Sequence, residues 1–392
     1  MSKIVFFCIP AHGHTNPTLE VVRELIARGH TVWYYSYHSM QKKIEATGAT
    51  FIVCDAYDVE QNLSPKDAAR VGKDLAFSTQ ILVDTTLALD DMVCHAMEQL
   101  QPDCIVADSM AVWGKMIAKK LDIPFVSSTT TFAFNQHSAK IMKQSVKEMA
   151  AMLFSIPRIN RHIKRLQAKG YPIKSILDII QNDNDTHTIV YTSPQFQPCA
   201  DTFSNKYAFV GPSIRPEESI IEKTRNRLVY ISMGTVNNDM RPFYRQCIAA
   251  LGNTEYQVIM SVGSLVDIAQ LGELPDNIAV YAHVDQIAVL QQADVFLSHC
   301  GMNSVNESLY FAVPLLMLPQ TAEQGGVAER VLQLGAGIKL SRANTEEIRN
   351  SVDKLLQDSS YKTNAQIISN GFRNCIGPKG AADKILQVCN EK

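Results

Sequence analysis

Short apolar runs recur along the chain and alternate with stretches whose apolar residues return every three or four positions. The first run, KIVFFCIP at residues 3–10, has no polar face. Behind it Asn16 reads as a helix cap and Pro17 as the first helical position. Leu19, Val22, Leu25 and Ile26 then recur at helical spacing until Gly29 stops the helix. TVWYYSY, TFIVCD, PDCIVAD, IPFVSST and TIVYTSP are further candidate strands, most of them separated by helical stretches. Continuous apolar strands between helices predict a parallel sheet covered on both faces.

The rhythm restarts after GPSIRPEESIIEKTRNR at 211–227, a polar stretch with two prolines that reads as a linker. LVYISMGT, YQVIMSVG, IAVYAHV, DVFLSHCG and PLLMLP then supply the strands of a second doubly wound unit. The expectation is two similar α/β domains facing each other across a cleft, without a sequence repeat between them. Their bounds are 1–212 and 227–392, joined by a linker at 213–226, with the last helix able to pack back on the first domain. Ligands of such sheets bind outside the carboxyl ends of the strands, so the residues directly behind each strand are the informative ones.

Composition narrows the class. With 392 residues, 46 % of them hydrophobic, the chain can bury two full cores. A formal net charge of -2 gives no global reason for a nucleic-acid partner. Nine cysteines occur singly and without a CxxC pair, which fits free thiols in a reducing cytosol better than disulfides or zinc. No apolar run reaches the ~20 residues that span a bilayer. A cytoplasmic protein is the resulting expectation.

Behind the first strand comes AHGHTNP, with His12 and His14 around a glycine at the mouth of a helix. A histidine there suits a general base, because its ordinary pKa of about 6.5 lies near neutrality, and it equally suits a plain turn. Asp108 ends PDCIVAD, where it either orients a histidine or caps a helix. The second half is more specific. Gly234 and Thr235 end one strand, and DVFLSHCG leads through Gly301 into the helix MNSVNESLYFA. That helix start offers unpaired N–H groups and the positive end of a dipole, which suits a diphosphate. Asn303 and Glu307 share one helix face, with Ser304 beside them.

HCGMNSVNESL followed by AVPLLMLPQTAEQ resembles the donor-binding signature of the family 1 UDP-dependent glycosyltransferases, nearest the bacterial macrolide-type glucosyltransferases. IPAHGHTNPTLEVVRELIARGH, ADSMAVWG and ISMGT fall in matching order, so the resemblance spans essentially the whole chain. It implies the GT-B architecture, two facing Rossmann-like domains around an interdomain cleft, with acceptor on the N-terminal side and UDP-sugar on the C-terminal side. By position it makes His14 the catalytic base and Asp108 the acid that holds it, and it leaves His12 as a turn residue. Thr235, His299 and Ser304 take the phosphates, with Gly301 making the donor-site turn between them; Asn303 lies near phosphate and sugar, and Glu307 takes the ribose. Glu323 and Gln324 bind the sugar hydroxyls. The implied reaction is an inverting transfer of a hexose from a UDP-sugar to a hydroxyl of a small hydrophobic acceptor, with no metal or other cofactor.

Two positions depart from the family pattern. Where many relatives carry Trp and, two residues on, Pro, this chain has His283 and Asp285, next to Gln286 in the donor region. His283 can still stack on uracil. Glu323 replaces the commoner Asp, leaving glucose as first choice and N-acetylglucosamine as next. The rival readings are a catalytically idle GT-B protein that binds nucleotide or assists a partner enzyme, and a nucleotide-sugar epimerase.

Other features read more plainly. NDND at 182–185 has the Asp-x-Asp spacing of metal-dependent transferases but reads as a turn. RINRHIKRLQAKG reads as a solvated basic helix face, and the Met and Phe residues from Phe132 to Phe154 read as core or as acceptor wall. No GxGxxG follows a candidate strand, and GxSxG and HExxH are absent.

Overall fold

The computed structural model describes residues 1–55, 63–64, 67, 70, 74–135, 137–138, 146–180, 182, 184–215, 219, 221–235 and 239–391. The chain divides into two compact units, one of Met1–Ser213 with Ile376–Lys392 and one of Ile214–Cys375.

The first unit is built on seven parallel strands: β1 (Lys3–Phe7), β2 (Thr31–Ser36), β3 (Thr50–Val53), β4 (Cys104–Asp108), β5 (Phe125–Thr129), β6 (His187–Val190) and β7 (Tyr207–Phe209). Their order across the sheet is β3-β2-β1-β4-β5-β6-β7. Alternate residues of one strand feed opposite layers. Ile4 and Phe6 of β1 and Cys104 and Val106 of β4 enter one core, while Val5, Phe7, Ile105 and Ala107 enter the other. Burial on both faces is why these strands carry no polar alternation. One layer is closed by the last helix, Pro378–Cys389, whose Ala381, Ala382, Ile385 and Val388 are buried with Val21, Val22 and Leu25 of the first helix.

The second unit repeats the arrangement with six parallel strands: β8 (Leu228–Ser232), β9 (Gln257–Ser261), β10 (Ile278–Tyr281), β11 (Val295–Ser298), β12 (Leu315–Met317) and β13 (Gly337–Lys339). Their order is β10-β9-β8-β11-β12-β13. Val229, Ile231, Val295 and Leu297 face one core; on the opposite face Tyr230 and Phe296 stack with ring centroids 4.7 Å apart.

The first helix begins earlier than its sequence suggests. It runs His12–Ala27 from an extended Ala11, so Asn16 lies inside it and caps nothing, and Pro17 sits beyond the first turn. The cause is local. The Ala11 carbonyl already accepts the N–H groups of His14 and Thr15, each at 2.9 Å, directly after the strand turn. His14 is therefore in the first helical turn. The stretch ahead of β8 is also no free tether in its described residues. Lys223 holds Asp294 at 2.7 Å, the Thr224 N–H donates to Gln257 Oε1 at 2.8 Å, and Arg225 donates to the Thr254 carbonyl at 2.6 Å. Its polar composition supplies hydrogen bonds to the second unit.

Candidate active site

In each sheet the connections leave in opposite directions from two central neighbours, β1 and β4 in the first unit and β8 and β11 in the second. At such a reversal the loops part and leave a crevice at the carboxyl ends of the strands. His14 follows β1 and Asp108 ends β4. Thr235 follows β8, and His299 follows β11.

In the first unit His14 Nδ1 lies 2.8 Å from Asp108 Oδ1, with the histidine side chain 20 % exposed and the carboxylate fully buried. Asp108 Oδ2 accepts the Met110 N–H at 3.2 Å, which fixes the carboxylate from the far side. With Nδ1–H donated to the acid, the basic lone pair of the imidazole is on Nε2. Thr130 Oγ1 is 3.1 Å from the same Nδ1 and narrows the tilt of the ring. Thr130 was not among the residues singled out from sequence, although its place directly behind β5, the neighbour of β4, is the same strand-end signal. His12 turns to a different partner: its Nδ1 meets Lys43 Nζ at 3.3 Å, and that ammonium also donates to Asn16 Oδ1 at 3.4 Å. Asp108 therefore distinguishes the two histidines.

In the second unit His299 is framed by glycine. A Cβ on Gly234, whose φ is +83°, would lie 2.6 Å from the ring Cε1, and one on Gly301 would lie 2.6 Å from Nε2. Only residues without Cβ admit the imidazole here. Burial lowers its pKa to about 4, against which the Ser232 carbonyl acts weakly, so the ring is neutral at physiological pH. The helix Met302–Tyr310 starts from Gly301, which brings no capping side chain. Asn303 is thus not the cap but the second helical residue. The N–H groups of the first turn have no carbonyl one turn back, as at any helix start, and they carry the positive end of the dipole.

Glu307 is half-buried and held by its neighbours. Gln286 Nε2 donates to Glu307 Oε2 at 2.5 Å and reaches Ser304 Oγ at 3.4 Å, while Tyr230 Oη donates to Gln286 Oε1 at 3.3 Å. Burial raises the Glu307 pKa; the Gln286 amide and the Arg215 charge oppose that rise. His283 is exposed ahead of the short helix Gln286–Leu290. Glu323 is exposed in the first turn of the helix Ala322–Gln333, capped by Thr321. Gln324 Oε1 accepts the Gln320 N–H at 2.8 Å, so its amide N–H groups are what it can offer a ligand.

The remaining sequence features fall into place or outside the described residues. Asp183 of NDND lies outside them, and Asn182 donates to Ser127 Oγ at 2.7 Å. Phe132 is core, packed on Phe196 at 5.6 Å, whereas Phe134 and Phe154 are exposed; residues 139–145 and the side chains of 146–153 lie outside the described set. In the basic helix Ile159, Ile163 and Leu166 are buried, and Arg165 pairs with Asp84 at 2.6 Å. All nine cysteines are free thiols. Among the described residues no three His, Cys, Asp or Glu side chains converge as a metal site, and no helix is long and apolar enough to cross a membrane.

Residues 245–387 match the family model described as Erythromycin biosynthesis protein CIII-like, C-terminal domain. The chain is 30 % identical to the uncharacterized UDP-glucosyltransferase YojK of Bacillus subtilis (strain 168), over 100 % of this chain and 98 % of the relative. It is 31 % identical to the NDP-glycosyltransferase YjiC of Bacillus licheniformis, over 97 % and 96 %. Among solved structures, the calicheamicin glycosyltransferase CalG4 is similar with a TM-score of 0.84 at 26 % identity, covering 100 % of this chain and 99 % of that one.

Proposed function

Because the chain belongs to the family 1 UDP-dependent glycosyltransferases of GT-B fold, we propose that it transfers glucose from UDP-glucose to a hydroxyl of a small hydrophobic acceptor, with inversion at the anomeric carbon. The observation that carries this reading is the 2.8 Å contact of His14 Nδ1 with buried Asp108 at the β1/β4 crevice. It holds the tautomer whose Nε2 can take a proton, and Asp108 stabilises the imidazolium that forms.

As the acceptor oxygen bonds to C1 of the sugar, its proton passes to His14 Nε2 and the bond from C1 to the diphosphate oxygen breaks. UDP keeps that electron pair. Its charge is met by the first-turn N–H groups after Gly301 and by Thr235, Ser304 and a neutral His299 acting as hydrogen-bond donor. Asn303 serves phosphate and sugar, Glu307 and Gln286 the ribose, and His283 the uracil face. Glu323 accepts from the hexose hydroxyls while the Gln324 amide donates to them. A single displacement from an α-linked donor gives a β-glycoside. Because helix and polar side chains meet the diphosphate, the reaction is proposed to need no metal, and the enzyme to work in the cytoplasm.

The test is UDP-glucose against a panel of phenols, macrolides and terpenoids, with and without EDTA. A β-glycoside formed at equal rates in both is expected. Donor converted without any acceptor identifies an epimerase, binding without turnover an idle protein, and turnover restored only by Mg²⁺ or Mn²⁺ ends the metal-free mechanism.

A further inference from the structure

Asp285, one of the two departures from the family pattern, sits at the centre of a polar relay in the second unit. Its Oδ1 accepts Arg215 Nη2 at 3.0 Å and the Ile287 N–H at 3.1 Å, and its Oδ2 accepts the Ser219 N–H at 3.2 Å. Only 6 % of the Asp285 side chain is exposed. The carboxylate thus caps the helix Gln286–Leu290 at the residue before Gln286, whose amide holds Glu307 Oε2. A proline in this place would provide neither the cap nor the anion for Arg215.

We propose that Arg215 and Asp285 are positioning residues for donor binding: Arg215 braces the Asp285 carboxylate, Asp285 fixes the start of the Gln286 helix, and the Gln286 amide thereby holds Glu307 toward the nucleotide. The inference rests on the reading of Glu307 as a donor contact. An acid drawn into a protein interior drifts toward its neutral form, and a neutral Glu307 would lose half its capacity to accept from two ribose hydroxyls. The described charged or titratable groups facing it are Arg215 ahead of β8, Asp285 at the neighbouring helix start and Tyr230 on β8, whose phenol burial keeps neutral. Arg215 favours the carboxylate and Asp285 opposes it, so Arg215 is the cation that balances the pair. Polar composition alone made this arginine look like part of a tether.

Calorimetric titration of the full chain with UDP-glucose at pH 8 and pH 5.5 tests the relay, since the donor's diphosphate has no group titrating in that range. Arg215→Ala should weaken binding about tenfold, the worth of one charge-assisted hydrogen bond, and more at pH 5.5 than at pH 8. Arg215→Lys should recover most of the loss, and Arg215→Gln should keep the pH dependence. In a Glu307→Gln background, which has no acid to titrate, Arg215→Ala should change affinity less than about twofold. Thermal melts of each variant identify loss of folding; if Arg215→Ala does not fold, the Lys and Gln variants decide by the same pH comparison. Unchanged affinity in Arg215→Ala, or an undiminished loss in the Glu307→Gln background, overturns the proposal. Unchanged affinity in Glu307→Gln alone instead removes Glu307 from the donor site, and the inference falls with it.

Discussion

The two units place their candidate chemistry at the same point of the same strand order, yet they equip it in opposite ways. In the first, a histidine in the opening turn of a helix leans on a buried carboxylate. In the second, a histidine at the corresponding crevice is pressed between two glycines, neutral, beside a helix whose N-cap is itself a glycine. Burial lowers the pKa of the second ring and keeps it neutral near pH 7. One frame thus sets a histidine against an acid, while its copy sets a neutral one beside the start of a helix. The immediate partner, rather than the sheet, decides what a histidine at a strand end can do.

The most severe way to break this comparison is to remove the proposed base. His14→Ala should cost about 10² to 10⁴ in transfer to an alkyl alcohol while UDP-glucose still binds. Asp108→Asn should also be strongly impaired, and the His14→Ala defect should shrink with an acidic phenol that is already partly ionised. His12→Ala should be mild. pH-rate profiles of these variants check the set, and an active His14→Ala beside a dead His12→Ala would reverse the assignment.

On the donor side, Glu323→Ala should lose about 1.5 to 3 kcal/mol of a charged hydrogen bond, roughly ten- to hundredfold in kcat/KM, with UDP affinity kept. Equal loss of UDP binding would mean that Glu323 shapes the site and does not touch the sugar.

Gly301→Ala sharpens the comparison by forcing a methyl against the His299 ring. Overpacking of that kind costs about 1 to 3 kcal/mol, and here it should appear as weaker UDP binding with the His14 pH profile unmoved. Calorimetry alongside a pH-rate profile reads both.

The smallest effect is on stability. The His299 pKa is near 4 when folded and about 6.5 when unfolded, so as pH falls from 6.5 toward 4 the unfolded chain takes up a proton that the native one refuses. Stability contributed by the neutral ring is complete above pH 6.5 and declines below it, by about 2 kcal/mol after allowance for partial access of water. His299→Asn should flatten that part of a urea-unfolding series relative to wild type. An unchanged slope would show that the ring is protonated freely.

Strand-end logic made much of this readable from sequence. Uninterrupted apolar runs correspond to β1–β6 and β8–β12, and burial on both faces leaves that mark most plainly in β4, β6, β8 and β11. Edge strands β7 and β13, three residues each, are only partly buried and leave no long apolar run, unlike the equally short but fully buried β12. Asn16 failed as a cap because cap chemistry in a sequence does not reveal that an upstream carbonyl has already begun the helix. Thr130 and Arg215 were missed for a different reason. Each acts by meeting a residue far away in the chain, Thr130 on His14 and Arg215 on Asp285, and such a meeting depends on which strands become neighbours. Strand order is a property of the folded sheet and leaves no local trace.

The position of the final helix carries a consequence for synthesis. Five residues of Pro378–Cys389, including Ile385 and Val388, complete a core begun by Ile4 and Phe6. A ribosome making this chain therefore releases everything the second unit needs, through Cys375, before it releases the last piece of the first. Domains ordinarily fold from the N-terminal one onward as they emerge. Here the unit begun first is finished last, and until the terminal helix arrives the nascent chain carries an apolar sheet face open on one side. A stop codon placed after Cys375 should leave a first unit that is prone to aggregate, although every residue of its sheet is present.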